Sequence, residues 1–163
     1  MKKYPAYRKN NILHLILSIA IALGVGFLSS LLSGDTREVY QRLILPSFAP
    51  PGWIFPVVWT IMYVLMGIAA YRVYSRGPRR PQVRSALSYY AVQLFFNFLW
   101  SIIFFRFELF GFAFIWLLIL WFLIIVTTSK FFRLDKLAGY LMLPYLLWVT
   151  FAGILNFAIW RLN

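Results

Sequence analysis

Uncharged polar side chains set beside tryptophans at helical spacing are the best material for chemistry in this chain. Gln93, Asn97 and Trp100 fall at i, i+4 and i+7, Trp148, Ala152 and Asn156 follow at four-residue steps, and Trp59 and Tyr63 are four apart. Residues so spaced share a helix face. An amide in hydrocarbon is costly unless it has a hydrogen-bond partner. These faces therefore bond to one another across helices, or converge on a cavity with aromatic walls and a few neutral polar groups, as small-molecule sites do. The two readings are compatible. Other chemistry has little to work with. The chain holds one histidine, no cysteine and four carboxylates, all four in predicted loops. No Ser–His–Asp set, metal cluster or phosphate loop can be assembled, so no metal and no cofactor is expected. Buried charges of the kind that mark proton relays are missing as well.

The elements that position these faces are membrane helices. Hydrophobic residues make up 63% of the 163, with mean hydropathy +0.79, far outside the soluble range. About 20 apolar residues span a bilayer as a helix. Five windows qualify, at about 11–33, 54–73, 86–105, 109–129 and 137–160. Runs such as FAFIWLLILWFLIIV do not alternate as barrel strands would. The expectation is an all-α polytopic membrane protein, a five-helix bundle forming one domain over residues 1–163. Trp53 and Trp160 fall near predicted interfaces, where aromatic belts occur without a ligand. Trp116 and Trp121 are expected to face lipid, leaving Trp59, Trp100 and Trp148 as candidates for a site.

Four prolines and a glycine crowd the eleven residues Pro46–Pro56 and lead into the helix that carries Trp59. Proline cannot continue a helix, but it is tolerated in a first turn, where Pro56 would lie. The long 34–55 loop, with Tyr40, Phe48 and Trp53, is thus expected to order as a lid and to close over a ligand. Ala22, Gly26, Ser30 and Gly34 form a small-residue stripe, read as a packing seam, a dimer face or a groove for a flat ligand. The short turn 106–108 makes its flanking helices antiparallel neighbours, and Pro144 should kink the last helix.

The net charge of +12 is a topology signal more than a nucleic-acid signal. With alternating helices, twelve basic residues (Lys2, Lys3, Arg8, Lys9, Arg72, Arg76, Arg79, Arg80, Arg84, Lys130, Arg133 and Lys136) share one side, against Arg37, Arg42, Arg106 and Arg161 on the other. That bias predicts a cytoplasmic N-terminus and an outside C-terminus, with some attraction to anionic membrane lipids and no nucleic-acid partner. The first apolar stretch is longer than a signal-peptide core and lacks an Ala-x-Ala site, so it reads as an uncleaved membrane helix.

Three ordered motifs carry a resemblance: PSFAPPGWIFPVVW at Pro46–Trp59, QLFFNFLW at Gln93–Trp100, and PYLLWVTFAGILN at Pro144–Asn156 running into WRLN. In these the chain resembles the TspO/MBR family, the tryptophan-rich sensory proteins related to mitochondrial translocator protein. The resemblance implies a five-helix bundle, often a homodimer, that binds porphyrins, sterols and synthetic isoquinoline or benzodiazepine-like ligands under the first loop. By motif position the pocket would involve Tyr40, Pro51, Trp59, Gln93, Asn97, Trp100, Trp148, Ala152 and Asn156. The implied function is a sensor, scavenger or carrier of a flat tetrapyrrole such as protoporphyrin IX or haem. A light-dependent porphyrin-degrading enzyme using Trp59 and Trp148, a passive porphyrin or sterol transporter, and an assembly partner with no ligand are the alternatives. One departure touches sterols: the family's tyrosine after Leu-Asn is replaced here by Phe157 and Ala158, which removes the usual hydroxyl partner. The sterol pattern at Leu65, Tyr71 and Arg76 is a chance match.

Overall fold

The computed structural model describes residues 12–163. The expected start of the first helix at 11, and Lys2, Lys3, Arg8 and Lys9 of the charge pattern, lie outside the described residues. The described chain is helical: α1 (Ile12–Leu32), α2 (Thr36–Arg42), α3 (Ile54–Tyr74), α4 (Pro81–Ser101), α5 (Phe110–Leu134) and α6 (Lys136–Leu162), with a π-helical turn at Ile102–Arg106 continuing α4. All of these except α2, counting α4 with its π turn, are long and apolar enough to cross a membrane. The architecture is that of an integral, multi-pass membrane protein.

The helices close into a ring. In order around it stand α1, α3, α6, α5 and α4, and α4 returns to α1. Ring closure turns one face of every helix inward and leaves the other apolar. Met66, Ile124, Met142 and Tyr145 are fully buried, whereas Ile12, Phe27, Phe122 and Leu147 are largely exposed. Close approach of α1 and α3 depends on glycine. A β-carbon on Gly67 would lie 2.6 Å from Ile19 Cα, and Ser18 Oγ donates to the Gly67 carbonyl at 2.7 Å. Such small-residue contact is how helices associate in lipid.

The small-residue stripe only half enters the ring. Ala22 is buried and Gly26 lies against the Tyr63 ring, but Ser30 and Gly34 are exposed. A strict four-residue step drifts about 40° per step on a helix of 3.6 residues per turn. The inward positions are instead Ser29, donating to the Phe98 carbonyl, and Ser33, donating to Ser101 Oγ.

The helix ends differ from the apolar windows. α4 begins at Pro81 rather than 86, α5 runs to Leu134 rather than 129, and the expected 130–136 loop shrinks to one residue, Asp135. Windows stop at charges, while helices continue past the hydrocarbon into the headgroup region. Pro81 takes the first position of α4, where its missing N–H is no loss. Asp135 ends α5 and caps α6 by accepting from the Ala138 N–H at 2.9 Å. The 34–55 segment is no simple loop, since Asp35 caps the short α2 by accepting from the Glu38 N–H. Pro56 does sit in the first turn of α3. Further along, α6 runs through Pro144 as one helix.

Asp135 also fastens the basic end. Its carboxylate is 3% exposed and accepts from Arg72 Nε at 3.0 Å, Arg72 Nη2 at 2.9 Å and both Nε and Nη2 of Arg76. Burial alone would raise its pKa. The hydrogen bonds from Arg72, Arg76 and the Ala138 N–H, with the Arg72 charge, outweigh burial and hold it at about 2. Sequence reading gave Asp135 no role. The available signal was a lone acid between two helices, opposite Arg72 and Arg76 at i and i+4.

Candidate functional site

The site lies at the other end, where the proline segment meets α3, α4 and α6. Two turns shape that segment: the Ala49 N–H donates to the Pro46 carbonyl and the Ile54 N–H to the Pro51 carbonyl, both at 3.0 Å. Tyr40 of α2 is buried, and burial raises its pKa, so the phenol stays protonated. It donates to the Pro50 carbonyl at 2.8 Å. Pro51 is exposed, and its role here is that turn carbonyl. From Tyr40 a chain of rings runs inward. Tyr40 meets Phe55 at 5.2 Å between centroids, Phe55 meets Trp148 at 5.9 Å, and Trp148 meets Phe151 at 5.4 Å. Phe48 closes over Phe151 at 6.5 Å.

A second ring cluster adjoins the first. Trp59 contacts Tyr63 at 5.7 Å, Tyr145 at 6.2 Å and Trp100 at 6.5 Å. Below it the amides join in one buried network. Tyr63 Oη donates to Asn97 Oδ1 at 2.5 Å, Asn97 Nδ2 donates to Tyr145 Oη at 2.9 Å, and Tyr145 Oη donates to Gln93 Oε1 at 2.8 Å. Gln93 Nε2 then reaches Met66 Sδ at 3.8 Å. Asn156 accepts from Trp100 Nε1 at 3.2 Å and donates to the Phe110 carbonyl at 2.9 Å. Ala152 is buried, one turn from Trp148 on the same face.

The candidate residues thus form two linked sets. Tyr40 and Trp148 belong to the ring chain under the loop. Trp59, Trp100, Gln93, Asn97 and Asn156 belong to the network that ties α3, α4 and α6. All three amides are engaged by protein partners across helices, which satisfies them in apolar surroundings. A donor that no protein group meets is the Trp148 Nε1–H, buried and without an acceptor. Buried polar groups ordinarily have partners, and this indole N–H lies among aromatic rings without one, as Tyr90 Oη and Thr128 Oγ1 do elsewhere in the bundle. Tyr145, Phe55 and Phe151 were not singled out from sequence. Tyr145 stood three residues from Trp148, at helical spacing, and was the findable one.

Outside the site, Trp53 is 69% exposed. Trp116 differs from its expected lipid-facing place, because its Nε1 donates to the Phe96 carbonyl at 2.9 Å and its ring stacks on Phe96 at 4.3 Å, tying α5 to α4.

The TspO/MBR family model matches residues 18–161. The chain belongs to the TspO/MBR family. It is 39% identical over 153 residues to the tryptophan-rich protein TspO of Chlorobaculum tepidum, covering 93% of this chain and 97% of that one. A 41% identity over 126 residues, 77% of each chain, relates it to the tryptophan-rich sensory protein of Cereibacter sphaeroides. The translocator protein of Homo sapiens is 33% identical over 147 residues, 90% of this chain and 87% of that one. The family match, from residue 18 to residue 161, enters all five membrane helices and takes in the whole proline segment.

Proposed function

We propose that this chain binds a flat, hydrophobic tetrapyrrole of the porphyrin class between the proline segment and the ring cluster of α3 and α6, acting as a sensor, scavenger or carrier. The observation that carries the reading is the Trp148 indole N–H, buried without an acceptor among Phe55 and Phe151. A porphyrin offers π-faces to the rings and carboxylate oxygens to the N–H. Among the relatives, the name sensory protein agrees with a sensor and the name translocator protein with a carrier. The test is titration with protoporphyrin IX in detergent, in the dark, following tryptophan quenching. Saturable binding is expected, weakened about fivefold to tenfold in Trp148→Phe, the worth of one hydrogen bond. Unsaturable quenching, or equal affinity in wild type and variant, would sink the reading.

A photochemical role is the second reading, favoured by the placement of Trp59 against Trp100, Tyr63 and Tyr145. Illuminating the same complex separates the two, since degradation requires a new product whose formation falls in Trp59→Phe. The N-terminal end is proposed to face the cytoplasm, and the protein to pair as a homodimer. Labelling of single cysteines from either side, and cross-linking in membranes, test these in turn.

A further inference from the structure

The basic end carries a cleft, about 430 Å³ in volume, open to the surface and lined by Pro81, Gln82, Ser85, Lys130, Arg133 and Leu134. It lies between the start of α4 and the end of α5, at the opposite end of the bundle from the proline segment. Lys130 is held in place there: Nζ donates to Ser85 Oγ at 3.1 Å and sits 4.7 Å from the Tyr89 ring centroid. Arg133 is exposed and forms no ion pair among the described residues. No acid competes for these cations. Asp135 is taken by Arg72 and Arg76, and Asp35, Glu38 and Glu108 belong to the opposite end. The first turn of α4 holds no acidic residue and has no side-chain cap, so the positive end of its dipole is uncompensated. Every charge at the cleft favours an anion.

The surface leading away from the cleft is apolar. Ser85, Tyr89, Val92 and Phe96 share one face of α4 by their spacing. Tyr89 and Val92 are 39% and 45% exposed, and the stripe ends on the stacked pair of Phe96 and Trp116. A cationic seat at the helix ends above an exposed apolar stripe matches a headgroup over an acyl chain.

We propose that this cleft is a binding site for an anionic phospholipid, with the phosphate between Lys130 and Arg133 and an acyl chain along Tyr89 and Val92. The stripe distinguishes a lipid from free phosphate, which would use the cations alone. General attraction of a basic protein end to an anionic surface would instead be indifferent to which cations are present.

Native mass spectrometry of the detergent-purified chain, titrated with phosphatidylglycerol or phosphatidylcholine, tests the site. Wild type is expected to retain phosphatidylglycerol preferentially. Lys130→Gln/Arg133→Gln is expected to weaken that retention about thirtyfold, given the electrostatic worth of two interfacial cations. Arg79→Gln/Lys136→Gln removes the same charge outside the cleft and should stay within about twofold of wild type. Lys130→Arg/Arg133→Lys should restore retention, which separates loss of the site from loss of fold. Equal losses in both Gln pairs would overturn the proposal in favour of general attraction, and absence of phosphatidylglycerol preference in wild type would overturn it outright. Displacement of the lipid by millimolar inorganic phosphate would assign the cations to a soluble anion and remove the lipid.

Discussion

At the scale of single residues, the aromatic site divides its buried side-chain polar atoms into those that have partners and the Trp148 Nε1–H, which has none. Tyr63, Asn97, Tyr145 and Gln93 share hydrogen bonds in sequence, so removing a donor strands its acceptor. Tyr63→Phe leaves Asn97 Oδ1 unpaired in the core and should cost about 1–3 kcal/mol, read as a lower thermal midpoint in detergent. Trp148→Phe removes a donor that has no protein partner, so its midpoint should stay within a degree or two of wild type while ligand binding weakens. The contrast between the two variants distinguishes glue from site. If Trp148→Phe were the more destabilised, Trp148 would act chiefly by packing on Phe55 and Phe151, and the contrast between glue and site would fail.

At the scale of elements, helix ends and crossings decide stability. Asp135 joins α3 to the α5–α6 turn through Arg72 and Arg76. Its pKa is lowered from 3.8 to about 2, so its contribution is full above about pH 4 and disappears as pH falls toward 2. Since both arginines are partly exposed, that contribution is discounted to about 1–2 kcal/mol. Asp135→Asn should show the lower midpoint at pH 7, with the gap to wild type closing near pH 2. A gap that persists unchanged at pH 2 would refute the electrostatic account. The α1–α3 crossing is set by Gly67, where Gly67→Leu would drive a side chain into the Ile19 backbone. Overpacking of this kind costs about 1–3 kcal/mol or more, and loss of the folded fraction on size-exclusion chromatography would report it.

For the whole molecule, the question is how the proline segment is held against the bundle. Asn163 side-chain amide atoms pair with both backbone groups of Ile44, accepting from its N–H and donating to its carbonyl at 3.0 Å each. Arg42 pairs with Glu108, whose backbone adopts φ 53, and Arg106 donates to the Leu32 carbonyl at 3.2 Å. The segment is therefore latched to α6 and to the α4–α5 turn by contacts at the membrane surface. Asn163→Ala should raise hydrogen exchange across 43–53 by about fivefold, the worth of roughly one net hydrogen bond, with the core of α3 unchanged. Unchanged exchange in 43–53 would place the hold on the segment elsewhere, in the packing of Leu43, Leu45 and Ala49.

Length and hydrophobicity alone determined five membrane-crossing helices, because a span is a local property: about 20 apolar residues make one wherever they occur. The place of Pro56 in a first turn was local in the same sense, fixed by its missing N–H and rigid ring. Spacing of Trp59 with Tyr63, and of Gln93 with Asn97 and Trp100, put those side chains on shared faces before any partner was known. Which faces meet was settled only by the order of helices around the ring. That order turned Ser29 and Ser33 inward in place of Ser30 and Gly34, and gave Asn97 both of its tyrosines. It also brought Asp135 to Arg72 and Arg76, and it left Trp148 N–H without a protein acceptor. Pairings between residues 34 to 119 positions apart depend on how every helix crosses its neighbours, and no window of sequence contains that information.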